Sequence, residues 1–136
     1  MIRDDLLRRQ AEGRPIRLGV SGAGWMGSGF VAQVAHMPGM EVMVLADADT
    51  RTAREALLAS GVSGESIVEA NAVGPAMDAL RSGKRVITGC YTLAAQLEAV
   101  DIVVDVTPSP AIGAETAYSC IPVSYTHLRA HETVLD

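Results

Sequence analysis

The sequence predicts an α/β protein in which a parallel β-sheet carries helices on both faces. Short apolar segments alternate with helical patterns along the chain, and strands separated by helices form βαβ units with parallel strands. The apolar segments, such as VMVLA and IVVDV, are continuous rather than alternating. This is typical of strands that are buried on both faces of the sheet.

Four strands are predicted, and they define the expected topology. They lie at 16–20, 40–46, 84–89 and 101–107. A doubly wound sheet places them in the order 3-2-1-4. We therefore expect a sheet truncated after about four strands, in which the fourth strand lacks the neighbour that it has in a complete domain.

Helices are expected between these strands, and their ends carry recognisable capping residues. Thr50 is the expected N-cap of one helix, and Gly61 follows its last residue. Pro75 stands in the first turn of the next helix, and Gly83 follows its end. The predicted helical segments are an N-terminal arm within 1–14, then 30–37, 50–60, 74–82, 92–100 and 111–121, whereas 62–71 shows no clear pattern.

Composition argues against several classes of function. The chain has 136 residues, 49% of them hydrophobic and 4% aromatic, and a formal net charge of −5. This predicts one domain with an aliphatic core and argues against nucleic acid as a partner, because binding phosphates needs a basic face. The sequence shows no metal-ligand cluster, no apolar run long enough to cross a membrane and no signal-peptide pattern. We therefore expect a cytoplasmic protein that binds a small molecule.

A glycine-rich turn is the strongest functional signal. The stretch GVSGAGWMG follows the first strand, opens a helix and places Gly22, Gly24 and Gly27 in the spacing G-x-G-x-x-G. In a dinucleotide site the first glycine makes the turn, the second lets the pyrophosphate approach the backbone and the third lets the helix pack closely. Trp25 and Met26 are further candidates for cofactor contact, although Trp25 could equally cover the sheet edge and Met26 could pack on the sheet. A βα turn without a ligand is the alternative.

Asp47 supplies the second element of a dinucleotide site. It ends the second strand, 20 positions after the last glycine of the motif. A carboxylate there accepts hydrogen bonds from both ribose hydroxyls and repels a 2′-phosphate, which favours NAD over NADP. Asp49 adds to this preference. Arg51 is the candidate for reaching a 2′-phosphate if the cofactor is NADP; alternatively, Arg51 and Arg54 form a solvated helix face.

Thr107 supplies the third element, because it ends the fourth strand, which lies beside the first in this topology. We expect its hydroxyl and backbone to face the nicotinamide, and Pro108 and Pro110 to form a rigid wall; a plain strand–helix connection is the alternative. Asp105 lies within the strand and is expected to support this turn. Tyr91 either borders the adenine or, more simply, lies on the surface. No residue is predicted to be catalytic, since none is a convincing general acid or base near the expected nicotinamide.

These motifs leave two classes of function open. One is an oxidoreductase that transfers hydride to or from a small hydroxy or carbonyl substrate, with its substrate domain outside this chain. The other is a non-catalytic module that senses NAD or NADP. A methyltransferase fits less well, because the strand before the glycine turn is plainly apolar. The chain alone is expected to be inactive.

Three stretches together resemble a known family. EGRPIRLGVSGAGWMGSGFVAQV, MVLADAD and VDIVVDVTPSPAIGAETAYSCI are similar to the N-terminal NAD(P)-binding domain of homoserine dehydrogenase-like oxidoreductases. More narrowly, they resemble the subgroup with a C-terminal SAF domain, which includes reductoisomerase-like enzymes. The resemblance implies a Rossmann-like domain over 15–121, in which the three motif glycines, Asp47 and Thr107 contact the cofactor and a substrate domain follows.

The C-terminal stretch does not continue this resemblance. VSYTHLRAHETVLD is similar to a tail found in many unrelated conceptual translations, where it arises from adapter sequence. We therefore expect 122–136 to be non-native, with a genuine strand and helix as the alternative. VSYTHL has an alternating pattern and is able to pair by chance with the open edge of the fourth strand.

Overall fold

The computed structural model describes residues 2–107, 110–120 and 126–129. Its strands are β1 (Ile16–Ser21), β2 (Met40–Ala46), β3 (Ile67–Glu69), β4 (Arg85–Thr88), β5 (Ile102–Asp105) and β6 (Thr126–Arg129). Its helices are α1 (Ile2–Ala11), α2 (Trp25–Ala35), α3 (Thr50–Ala59), α4 (Val73–Arg81) and α5 (Pro110–Cys120). The predicted α/β class is confirmed.

The six strands form one sheet in the order β3-β4-β2-β1-β5-β6, and every neighbouring pair is parallel. The predicted order 3-2-1-4 is confirmed, since the four predicted strands are β4, β2, β1 and β5. At the carboxyl end of β1, Ser21 pairs with Ala46 of β2 and with Asp105 of β5. The loops that follow these three strands therefore meet at one edge of the sheet.

Aliphatic side chains cover both faces of the sheet. Helices α2 and α3 pack on one face, where Val42 of β2 is buried. Helix α4 and the segment 93–100 pack on the other face, where Val44 of the same strand is buried. Val44 and its neighbour Leu45 are buried on opposite faces of the sheet, so β2 is apolar on both faces and its sequence does not alternate.

Helix α1 packs near the opposite edge of the sheet, where the strands begin. Leu6 is buried, and the Gln10 side chain accepts a hydrogen bond of 2.8 Å from the backbone N–H of Gly39. A Cβ at Gly39 would lie 2.2 Å from the Leu6 carbonyl oxygen, so this approach requires glycine. The neighbouring Leu7 is exposed.

Several local predictions were wrong for identifiable reasons. The patternless stretch 62–71 contains β3, which is only three residues long and therefore too short to show a period. The helix expected at 92–100 is a 3₁₀ turn at Ala94–Gln96, within a segment whose apolar side chains are buried against the sheet. Helix α2 begins at Trp25, within the glycine-rich stretch, rather than at Phe30.

The capping predictions were partly right. The N-cap of α3 is Asp49 rather than Thr50, because the Asp49 side chain accepts a hydrogen bond from the Arg51 N–H. Gly61 and Gly83 follow α3 and α4 as predicted, with φ of 106° and 81°. These positive φ angles are readily adopted only by glycine.

Strand β6 pairs with β5 at the position where the sequence predicts a missing neighbour. Residues 121–125 and 130–136 lie outside the described residues. The non-native origin of 122–136 and the limits of the domain therefore stay predictions. Within the described ranges, no helix combines the length and the apolar character needed to cross a membrane.

Candidate nucleotide-binding cleft

A cleft of about 460 Å³ lies at the carboxyl edge of the sheet, where the loops after β1, β2, β4 and β5 meet. All of the predicted site residues except Arg51 line this cleft. Two residues outside the predicted set, Tyr91 and Val106, also line it. The full lining is Gly22, Gly24, Trp25, Met26, Gly27, Asp47, Tyr91, Val106 and Thr107.

The three motif glycines have different structural reasons to be glycine. Gly22 has a φ of 102°, which strongly favours glycine. A Cβ at Gly27 would lie 1.9 Å from the Gly22 carbonyl oxygen, so α2 starts in direct contact with the turn. A Cβ at Gly24 would meet no atom within 4 Å. Gly22 and Gly27 therefore shape the turn, whereas Gly24 leaves open space beside it.

That open space lies at the positive end of helix α2. Gly24 is the N-cap, and no side chain caps the helix there. The Ser28 N–H donates to the Gly24 carbonyl at 2.8 Å, so the amides of residues 25–27 have no acceptor within the helix. The first turn contains no acidic residue. Free amides and the helix dipole together make this position suitable for an anion.

Asp47 is engaged by the main chain on both carboxylate oxygens. Its Oδ2 accepts a hydrogen bond of 2.8 Å from the Ala23 N–H, and its Oδ1 accepts one of 2.9 Å from the Asp49 N–H. The sequence predicted instead that this carboxylate serves ribose hydroxyls. Each oxygen can accept a second hydrogen bond, so the two roles are compatible.

Arg51 does not join the cleft. Its side chain is 88% exposed, and its Nε lies 3.6 Å from Asp49 Oδ1. The backbone N–H of Arg51 donates to the same carboxylate and, together with the guanidinium charge, holds the pKa of Asp49 below its ordinary value. Arg51 thus lies on a solvated helix face, paired with the N-cap.

Thr107 and Asp105 form a buried turn at the end of β5. The Thr107 hydroxyl and N–H donate to Asp105 Oδ1 at 2.6 Å and 2.9 Å. Asp105 therefore supports the turn, as predicted. Thr107 also lines the cleft, and its expected contact with the nicotinamide stays a prediction. Pro108, half of the predicted rigid wall, lies outside the described residues.

Tyr91 closes the side of the cleft next to the loop after β2. Its hydroxyl accepts a hydrogen bond of 3.0 Å from the Ala48 N–H, and its side chain is half-buried, so the simple surface interpretation is wrong. Asn71 fixes the start of the loop after β4, which carries Tyr91. The Asn71 Oδ1 accepts hydrogen bonds from Thr88 Oγ1 at 2.7 Å and from the Gly89 N–H at 3.1 Å. The position of Tyr91 just after a strand was a usable signal, whereas nothing local marks Asn71.

Two large apolar side chains stand at the mouth of the cleft. Trp25 is 93% exposed and Met26 is 42% exposed. Trp25 therefore does not cover the sheet edge, and that alternative is wrong, whereas the packing of Met26 on the sheet stays a prediction. Among the residues that the structure describes, no cluster of three or more His, Cys, Asp or Glu side chains could hold a metal ion.

Comparison with known proteins gives matches in structure but not in sequence. No protein-family model matches the chain, and no curated protein matches it. A myo-inositol dehydrogenase from Lactobacillus casei, solved with NAD(H) and myo-inositol, has a TM-score of 0.63 and 18% identity, covering 85% of this chain and 28% of that one. A scyllo-inositol dehydrogenase from the same organism has a TM-score of 0.63 and 14% identity, covering 90% and 29%.

A third similar structure is an oxidoreductase from Klebsiella pneumoniae whose function is assigned only provisionally, with a TM-score of 0.60 and 16% identity, covering 89% of this chain and 27% of that one. The chain has a Rossmann-like fold. It spans less than a third of the length of each of these proteins. At such identities the likeness establishes the fold of the chain and nothing finer.

Proposed function

We propose that this chain is the NAD-binding domain of an oxidoreductase. The observation that carries the proposal is the open space at Gly24, at the uncapped positive end of α2 and in the same cleft as Asp47 and Thr107. A pyrophosphate fits this position in charge and in steric room. The similar solved structures include dehydrogenases crystallised with NAD(H), which supports the same cofactor here.

Preference for NAD over NADP follows from the charges near the ribose end of the cleft. Asp47 lines the cleft, and Asp49 lies two residues further on with its carboxylate paired to Arg51. Two carboxylates would repel a 2′-phosphate, and Arg51 is already paired with Asp49. NADP binding would need Arg51 to leave Asp49.

We further propose that the chain alone catalyses no reaction and that substrate-binding and acid–base residues belong to another part of a larger enzyme. Among the described residues that line the cleft, the ionisable side chains are Asp47 and Tyr91. Both accept hydrogen bonds from backbone amides, so neither is poised as a general acid or base. The substrate would be a small hydroxy or carbonyl compound.

The narrower assignment to homoserine dehydrogenase-like enzymes with a SAF domain rests on the sequence resemblance alone. The similar solved structures named above are inositol dehydrogenases and an unassigned oxidoreductase. They support the coarser class, an NAD-binding oxidoreductase domain, and give no support to this subgroup.

Calorimetric titration of the chain with NAD tests the proposal. Gly24→Val should abolish measurable binding, because its side chain would occupy the space meant for the pyrophosphate. Gly29→Val is the matched control, since Gly29 lies in the same helix, also has open space around a Cβ and does not line the cleft. Equal NAD affinity of wild type and Gly24→Val would refute the proposed function.

A further inference from the structure

We infer that Asp47 is a positioning residue that holds the glycine turn in its binding-competent shape, independently of any contact with ribose. This inference rests on the proposed function. It differs from the sequence-based role of Asp47, in which the carboxylate accepts from the ribose hydroxyls and repels a 2′-phosphate. The two roles are distinguished by the hydrogen bonds that the carboxylate makes within the protein itself.

The first step is the contact between Asp47 and the turn itself. Ala23 stands between Gly22 and Gly24, is 2% exposed, and donates its N–H to Asp47 Oδ2 at 2.8 Å. A segment with glycine on both sides has unusually many backbone conformations available to it. A hydrogen bond to a charged acceptor is about twice as strong as a neutral one, so this contact restrains the turn where restraint is most needed.

The second step is that Asp47 is itself held in place. Its backbone N–H donates to the Thr88 carbonyl of β4 at 2.9 Å, and its Oδ1 accepts from the Asp49 N–H at 2.9 Å. The carboxylate is therefore anchored to the sheet and to the loop that begins α3. Through Asp47, the glycine turn is connected to β4 and to the loop before α3, which are both distant from the turn in sequence.

The third step concerns the anion site. Gly22 and Gly24 flank Ala23, and Gly24 is the N-cap whose carbonyl accepts the first helical hydrogen bond of α2. If the Ala23 N–H lost its acceptor, the turn that sets the direction of the amides of residues 24–27 would lose one of its restraints. Loss of Asp47 should thus weaken binding of the phosphates as well as of the ribose.

The decisive experiment compares ADP with 2′,3′-dideoxy-ADP, which lacks both ribose hydroxyls, on the full 136-residue chain. Trp25, the single tryptophan, borders the turn and reports binding by fluorescence. Asp47→Ala should weaken both nucleotides by roughly ten- to hundredfold, the effect of losing a hydrogen bond to a charged group. If Asp47→Ala binds dideoxy-ADP as tightly as wild type does, the inference is overturned.

A second measurement needs no ligand. Hydrogen exchange at the Ala23 amide should be at least roughly tenfold faster in Asp47→Ala than in wild type, and an unchanged rate would overturn the inference. Asp101→Ala is the matched control, because Asp101 also accepts a backbone N–H, that of Arg17, but at the opposite edge of the sheet. It should lower stability without changing exchange at Ala23 or nucleotide affinity.

These readouts separate the inference from the function on which it rests. A wild-type chain that binds neither nucleotide refutes the proposed function and the inference together. A wild-type chain that binds both, with Asp47→Ala impaired only for ADP, keeps the proposed function and refutes the inference.

Discussion

Replacing Gly27 with alanine tests how closely α2 packs on the glycine turn. The new Cβ would lie 1.9 Å from the Gly22 carbonyl oxygen and 3.1 Å from a methyl group of Val106, whereas real Cβ contacts almost never fall below 3.0 Å. The helix and the turn would therefore have to separate by about 1 Å. The obstructing atom belongs to the backbone, so rotation of a side chain cannot relieve the contact.

The magnitude follows from two opposing terms. Overpacking of this kind costs about 1–3 kcal/mol, whereas alanine in place of glycine within a helix gains at most about 1 kcal/mol. With a rigid backbone contact we expect the upper end of the cost, and thus a net loss of about 2 kcal/mol in the free energy of unfolding. For a domain of this size, that corresponds to a decrease in Tm of roughly 6–8 °C.

The assay is thermal unfolding followed by circular dichroism, with Gly29→Ala as the matched control. Gly29 lies two positions further along the same helix, and a Cβ there would meet no atom within 4 Å. Its replacement should raise Tm by a few degrees through helix propensity alone. The close packing of α2 on the turn would be refuted if Gly27→Ala, like Gly29→Ala, melted at or above the wild-type temperature.

Three further predictions concern specificity, buried polarity and pH. Asp49→Asn keeps the N-cap, because Asn caps as well as Asp, but it removes the charge that holds Arg51. The affinity for NADP relative to NAD, measured by calorimetry, should therefore rise by roughly three- to tenfold. An unchanged ratio of the two affinities would contradict this. The Ser21 hydroxyl is buried without a partner among the described residues, so Ser21→Ala should stabilise the chain by about 1 kcal/mol in urea unfolding. Thr88→Val loses a hydrogen bond to Asn71 and should instead destabilise the chain by about 1 kcal/mol. Effects of the same sign would refute the reasoning. Burial alone would raise the pKa of Asp101, but hydrogen bonds and charge from Arg17 outweigh burial and hold this pKa below its ordinary value. The stability that the charged carboxylate contributes is therefore present above the unfolded pKa of about 3.9 and is lost as pH falls through the folded pKa. The difference in Tm between wild type and Asp101→Asn should accordingly shrink below about pH 4.

The glycine motif shows how far local sequence carries the prediction of a site. Its spacing correctly identified Gly22 and Gly27 as residues that shape a strand–turn–helix junction, because the constraints on both arise within the motif itself. The same reasoning placed Arg51 near the cleft, where the structure does not put it. A solvated side chain follows the nearest charge, here the N-cap carboxylate of its own helix, and spacing along the chain does not reveal that choice.

Tyr91 illustrates the complementary failure. It lies 43 residues from Ala48, whose amide its hydroxyl binds, and only the pairing of β2 with β4 brings the two loops together. Sequence patterns of apolar residues predict that such strands exist. They do not show which loop side chains then meet, because these contacts depend on register and on the path of each loop.

The sequence by itself determined the α/β class, the order of the four predicted strands and the position of the glycine turn. The signals for these features are continuous apolar strands, capping glycines and motif spacing, which are consequences of local backbone geometry and burial. Only the tertiary structure decided what Asp47 binds. Its partner Ala23 is 24 residues away, and the contact exists because β1 and β2 lie side by side and end at the same edge of the sheet. Hydrogen bonds between loops require the orientation of both partners to within about 1 Å, which no pattern within either loop specifies.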